Sequence, residues 1–148
     1  MKLISHRGNV DGRLESQENE PAYIDFAISK GYDVEIDIWY KDNVLWLGHD
    51  MPNYSVDFIW LVDRIDKLWI HCKNLDAMVF IKESKFHFNY FWHQNDDVVL
   101  TSNGFFWTYP GKRLTKYSIA VMPEIKTFDN IDISYGICSD YIKKYQNK

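Results

Sequence analysis

Asp33-Val34-Glu35-Ile36-Asp37-Ile38-Trp39-Tyr40 is the stretch on which the fold turns. It alternates strictly. Val34, Ile36 and Ile38 fall on one face of an extended strand, and Glu35, Asp37 and Trp39 on the other. Immediately before it, Gly31 ends a helical pattern that begins near Asn19, with Pro21 in the first turn and Ile24, Ala27 and Ile28 as its apolar stripe. Asn19 is the expected cap. Immediately after it, Asp42-Asn43 marks a turn and Val44 to Leu47 returns as a strand. Further upstream, Leu3 to Arg7 reads as a first strand.

Working downstream, Ser55 is a candidate cap for a helix carrying Phe58, Leu61, Val62 and Ile65. Leu68 to Lys73 is strand-like, and Asn74 can cap a helix carrying Leu75, Met78 and Ile81. The first half therefore reads strand–helix–strand–helix–strand–helix, the pattern of a parallel α/β sheet. The second half holds short aromatic or β-branched runs at Phe86–Trp92, Val98–Ser102, Phe105–Tyr109, Ser118–Met122 and near 136–140. Asn103-Gly104 between two of them is a hairpin signal. A two-residue link cannot join parallel neighbours, so Phe105–Tyr109 is expected to be an antiparallel excursion or no strand at all.

Composition narrows the function classes. A chain of 148 residues with 46% hydrophobic residues fits one packed domain, not a disordered chain. The net charge is −4 with no basic run, which argues against nucleic acid or an anionic membrane as the main partner. No stretch is apolar for long enough to span a bilayer, and no signal core opens the chain. Cys72 and Cys138 fit no zinc or redox spacing and read as buried reduced thiols. A cytoplasmic location is the expectation.

Glu35 and Asp37 carry the first chemical signal. Two carboxylates on one face of an apolar strand are not buried without compensation. Either they line a solvated edge, or they share a cation, since hard cations take carboxylate oxygens. His6-Arg7-Gly8 ends the first strand and Gly48-His49-Asp50 ends the return strand. Two histidines beside a cation would suit a general acid and base. Arg7 offers a forked donor for phosphate oxygens.

Taken together, His6-Arg7-Gly8, Glu18-Asn19, Gly31 leading into Glu35-Ile36-Asp37, and His49-Asp50 resemble the glycerophosphodiester phosphodiesterase family. They also resemble the wider phosphatidylinositol-phospholipase-C-like superfamily, which includes the spider-venom-type phospholipases D. The resemblance covers roughly the first third of the chain, in order and spacing. It implies a (β/α) barrel with the site at the C-terminal strand ends, and a divalent cation, Mg²⁺ or Ca²⁺, held by Glu35 and Asp37. It assigns acid–base catalysis to His6 and His49 and phosphate binding to Arg7. It places Asn19 and Lys73 beside the substrate. The implied products are sn-glycerol 3-phosphate and an alcohol.

The chain departs from the family pattern in three places. His71 stands where the family has an acidic residue two before the lysine, here Lys73. His71 is then a third metal ligand, which would admit Mn²⁺, or a structural histidine; Glu124 is a substitute carboxylate. Glu20 replaces a small hydroxyl residue. The chain is also far shorter than the roughly 250 residues of a usual barrel. The expected fold is α/β: a reduced or irregular (β/α) TIM-type barrel in a single domain. Trp92, His93 and the Trp107 region read first as core or surface packing, with a substrate rim as the alternative. The expected function is metal-dependent hydrolysis of a small-molecule phosphodiester, with a lipid headgroup or phosphodiester-linked glycan as other substrates. The alternative is a catalytically silent phosphate-binding module on the same fold.

Overall fold

The computed structural model describes residues 1–146 and forms one mixed α/β unit around a single curled sheet. The chain runs β1 (Lys2–His6), α1 (Pro21–Ser29), β2 (Asp33–Lys41), β3 (Val44–Leu47), β4 (Tyr54–Val56), α2 (Phe58–Val62), β5 (Leu68–Cys72) and α3 (Leu75–Glu83). It continues through β6 (Asn89–Phe91), β7 (Val98–Leu100), β8 (Phe106–Thr108), β9 (Ser118–Val121) and β10 (Gly136–Ser139). Seven strands pair in parallel in the order β6-β5-β2-β1-β10-β9-β8. β3, β4 and β7 are antiparallel additions. The sheet curls into a half-barrel. At the free edge of β6 the loop residue Ser102 pairs with Tyr90: its N–H donates to the Tyr90 carbonyl at 2.8 Å and its Oγ accepts from the Tyr90 N–H at 2.9 Å.

The two faces of the curl differ. The outer face of β2, with Val34, Ile36 and Ile38, packs under α1 and α3 in the larger core. The inner face holds a small aromatic cluster of Trp69, Phe91 and Trp107 with Ile4, Ile119, Val121 and Cys138. On β2 the inner face is Asp33, Glu35 and Asp37, all buried. Asp33 is neutralised at the N-terminal end of the curl by Lys2 at 3.0 Å and Lys67 at 3.3 Å, and accepts from Trp69 Nε1. Glu35 and Asp37 lie nearer the C-terminal ends.

Several expectations are corrected. Asn19 does not cap α1. Its φ is +63° and Glu20 holds the cap position, because the Asn19 amide is committed to Asp37 on both atoms. Ser55 is no cap either: it pairs with Trp46 inside the β3–β4 hairpin, which leaves Asp57 to open a shorter α2. Asn103-Gly104 does close a hairpin, but the antiparallel excursion is β7, and β8 joins the parallel run beside β9. Asn74 caps α3 as expected, accepting from the Ala77 N–H at 3.0 Å. Asp42 and Asn43 both adopt left-handed φ, which suits a two-residue hairpin turn. Among the described residues no α-helix follows α3; turns of 3-10 helix at 131–133 and 142–145 stand instead.

Candidate metal centre and catalytic cleft

The C-terminal ends of the parallel strands converge on a cleft of about 460 Å³. His6 ends β1 and Arg7 follows it, Glu35 comes from β2, His49 from the loop after β3, and His71 from β5 with Lys73 just past its end. The register explains the convergence: Glu35 lies opposite His6 on one side, and Asp37 lies opposite His71 on the other. Four of the expected site residues therefore share one surface because parallel strands align alternate residues.

Asp37 is the hub. It is fully buried. Its Oδ2 accepts from Asn19 Nδ2 at 2.9 Å, while the Asp37 N–H donates to Asn19 Oδ1 at 2.9 Å. His71 Nδ1 is 3.0 Å from Oδ1, and Lys73 Nζ is 3.4 Å away. Arg7 Nε is 2.9 Å from Oδ2 but out of line for a hydrogen bond. Burial alone would raise the Asp37 pKa. The hydrogen bonds to His49 and His71, with the Arg7 charge, overcome it and hold the carboxyl well below its usual range. Glu35 goes the other way. Burial and the adjacent Asp37 raise its pKa, and His6, Arg7 and His71 offset only part of that. Its Oε2 is buried without a hydrogen-bond partner, 3.9 Å from His6 Nε2.

The donor atoms of Glu35, Asp37 and His71 all lie within 4.8 Å of one another. Two buried carboxylates, one of them with an orphaned oxygen, fit a shared cation: it would satisfy Glu35 Oε2 and remove the repulsion that raises Glu35. The residues present therefore fit a divalent ion. Glu124 does not join them. It accepts from Ser139 Oγ at 3.0 Å and from the Asp140 N–H at 2.9 Å, closing the end of β10.

The two histidines sit differently. His6 Nδ1 is 2.7 Å from Asp140 Oδ1, and its Nε2 faces the cleft. Burial lowers its pKa, but the hydrogen bond to Asp140 and the charge of Glu35 outweigh it, so the pKa is raised. His49 is 39% exposed; its Nδ1 lies 2.6 Å from Arg7 Nη2 and 3.3 Å from both Asp37 oxygens, and its tautomer sets whether it accepts from Arg7 or donates to Asp37. Its loop is braced: Trp39 Nε1 donates to the Gly48 carbonyl at 2.6 Å, and any Cβ at Gly48 would overlap the Met51 carbonyl oxygen. Trp39 thus supports the loop and does not line the cleft.

The expected phosphate binders are unequal. Arg7 is buried among protein groups: Nη1 donates to Glu18 Oε2 at 3.0 Å, Nη2 meets His49, and Nε lies beside Asp37. Asn19 is wholly taken by Asp37. Lys73, whose contacts with Asp37 and His49 are both 3.4 Å, is the cation left loosely held at the cleft. Three further groups went unseen in the sequence: Asp140 behind His6, buried Asn9 bridging Glu18 and Asp140, and Tyr109 stacked on His93 at 3.9 Å. Asp140 had a readable signal, since it follows directly on a strand, as His49 nearly does. Trp107, Tyr109, Pro110, Val121, Met122 and Ile125 form the facing wall, with His93 and Gln94 at the rim. Trp92 packs instead against the outer core. The chain matches no protein-family model, no curated protein and no solved structure.

Proposed function

We propose that the protein is a metal-dependent phosphodiesterase of the glycerophosphodiester type, built on a reduced TIM-type barrel. The observation that supports it most is the buried Glu35–Asp37–His71 group with its orphaned carboxylate oxygen, facing the same cleft as His6, His49 and Lys73. Glu35, Asp37 and His71 hold one divalent cation, which supplies charge stabilisation to the phosphoryl oxygens when bound. Lys73 binds the phosphate from the other side. Arg7 keeps Asp37 ionised and fixes His49, and Asn19 locks the Asp37 carboxylate in place. His6, backed by Asp140, takes the nucleophile's proton at Nε2, because the paired carboxylate stabilises the imidazolium that forms. His49, free to solvent on one side, returns a proton to the leaving alkoxide.

The substrate is a small phosphodiester cleaved to a phosphomonoester and an alcohol. Two buried free thiols, Cys72 and Cys138, support a cytoplasmic setting. Among the described residues no helix is long and apolar enough to cross a membrane. The test is turnover of bis(p-nitrophenyl) phosphate and of glycerophosphodiesters by chelator-stripped protein, with and without added divalent ions. Ion-dependent release of p-nitrophenol or sn-glycerol 3-phosphate is expected. Saturable binding of phosphate ligands with no turnover of any diester would instead support the silent binding module, and overturn the enzyme.

A further inference from the structure

We infer that the Glu35–Asp37–His71 group selects a borderline first-row cation, Mn²⁺ or Zn²⁺, over Mg²⁺ and Ca²⁺. The inference rests on the reading that this group holds a metal. It concerns which ion the group holds.

Four observations carry it. The donor set is mixed. His71 aims Nδ1 at both carboxylates, 3.0 Å from Asp37 Oδ1 and 3.8 Å from Glu35 Oε1, and an ion bound there would displace the proton that Nδ1 shares with Asp37. An imidazole nitrogen suits Zn²⁺ and Fe²⁺ best, and Mn²⁺, weakest of the first-row ions, still accepts it more readily than Mg²⁺ or Ca²⁺, which take oxygen. The oxygen supply is short. Ca²⁺ takes about six to eight oxygen ligands. The nearby carboxylates are already engaged: Asp140 by His6 and Asn9, Glu18 by Arg7, Asn9 and Arg13, and Glu124 by Ser139 and the Asp140 N–H.

The available charge is also reduced. Asp37 faces Arg7 at 2.9 Å and Lys73 at 3.4 Å, so an ion held mainly by Coulomb attraction meets a carboxylate that is partly neutralised. A nitrogen donor loses little to those cations. Its binding strength rises from Mn²⁺ along the first-row series to Cu²⁺ and falls again at Zn²⁺. His71 is also fixed beforehand, buried and stacked on Phe91 at 5.1 Å with the rings 8° from parallel. Little side-chain freedom is lost when it binds an ion.

The experiment is calorimetric titration of the chelator-stripped full chain with Mn²⁺, Zn²⁺, Mg²⁺ and Ca²⁺, each alone. Spin-echo spectroscopy of the Mn²⁺ form accompanies it. The wild type is expected to bind Mn²⁺ and Zn²⁺ tighter than Mg²⁺ or Ca²⁺, with the echo modulation of a directly bound ¹⁴N. His71→Ala should weaken Mn²⁺ by at least the roughly 10–100-fold that loss of a supporting partner costs at metal sites, and abolish the modulation. His71→Glu should abolish the modulation and move the preference towards Mg²⁺ and Ca²⁺. Circular dichroism separates these results from misfolding, and either variant suffices. Mg²⁺ or Ca²⁺ binding as tightly as Mn²⁺, or Mn²⁺ bound without nitrogen modulation, overturns the selectivity and leaves the metal reading standing. No ion bound with sensitivity to Glu35→Gln overturns both.

Discussion

The two walls of the cleft come from different halves of the chain and differ in what holds them. The wall from β1, β2, the β3 loop and β5 is a network of charges, with Asp37 touching Asn19, Arg7, His71 and Lys73. The wall from β6, β8 and β9 is packed rings, Phe91 on Trp107 at 4.7 Å and His93 on Tyr109 at 3.9 Å, and it reaches across to Trp69 of β5, 5.9 Å from Trp107. A polar network gives chemistry and fails if one partner is removed, since a buried charge is left uncompensated. A ring cluster gives shape and fails by cavity formation. Asp140 crosses the division: it belongs to the second half yet completes His6. Each prediction below separates the walls by which quantity moves, turnover or stability.

The largest effect belongs to the polar wall. His6→Ala and His49→Ala should each lower turnover of a diester by roughly 10²–10⁴-fold, the usual worth of a positioned acid or base. Their stabilities should then diverge. His49 is 39% exposed, so its loss should leave the urea midpoint almost unchanged. His6→Ala strips Asp140 of its 2.7 Å partner in a buried setting, which should cost about 1–3 kcal/mol. An active His49→Ala protein would end the acid–base assignment.

The aromatic wall should show the reverse. Trp107 is 2% exposed and touches both Phe91 and Trp69. Trp107→Ala should cost about 3–5 kcal/mol in urea denaturation, the range for a large core truncation. Below its transition it should keep its metal affinity, since no ligand atom is removed. Loss of metal binding in a folded Trp107→Ala protein would show that the walls are coupled and not separate.

Asp140→Asn probes the crossing point, and its effect is smaller. The carboxylate raises the His6 pKa against burial, so the amide should let it fall. A base works only when neutral, so the acid limb of the pH–rate profile should move to lower pH, with turnover reduced about tenfold as the imidazolium loses its support. Stability follows the same sign. A raised histidine pKa stabilises the fold below the unfolded value of 6.5, and that contribution is lost as pH rises through the folded value. The variant should show less of this dependence. An unmoved acid limb would remove His6 as the titrating base.

How much the sequence disclosed follows the same division. Period-two alternation located β2 and its carboxylates, because both faces of a parallel strand are ordered by register. The helices α1 and α3 were legible from stripes and turn residues. What was not legible was competition between partners. Asn19 looked like a cap, yet the peptide and carboxylate of Asp37 offer it two bonds where a cap offers one. Ser55 looked like a cap because nothing local signals that β3 will recruit it. In the second half the strands are only three or four residues long, too short for periodicity to show direction, so β8 was misassigned. Asp140 follows directly on a strand, which marked its place, but its role depends on a partner 134 residues away.

The smallest effect tests whether the apolar wall touches substrate at all. Ile125 lines the cleft yet is 68% exposed, so it adds little to the core. Ile125→Ser should leave the urea midpoint within experimental scatter and leave metal affinity alone. If the non-phosphate part of an alkyl or aryl diester rests on this wall, covering Ile125 is worth about 1 kcal/mol, on the scale of one buried methylene at roughly 0.8 kcal/mol. That corresponds to about a fivefold rise in KM with kcat unchanged, because contact made equally in ground and transition states alters binding only. A glycerophosphodiester with a short polar alcohol reaches the wall less and should show a smaller change. A fall in kcat without a change in KM would mean that Ile125 positions the reacting group, and an equal effect on both substrates would place the alcohol elsewhere.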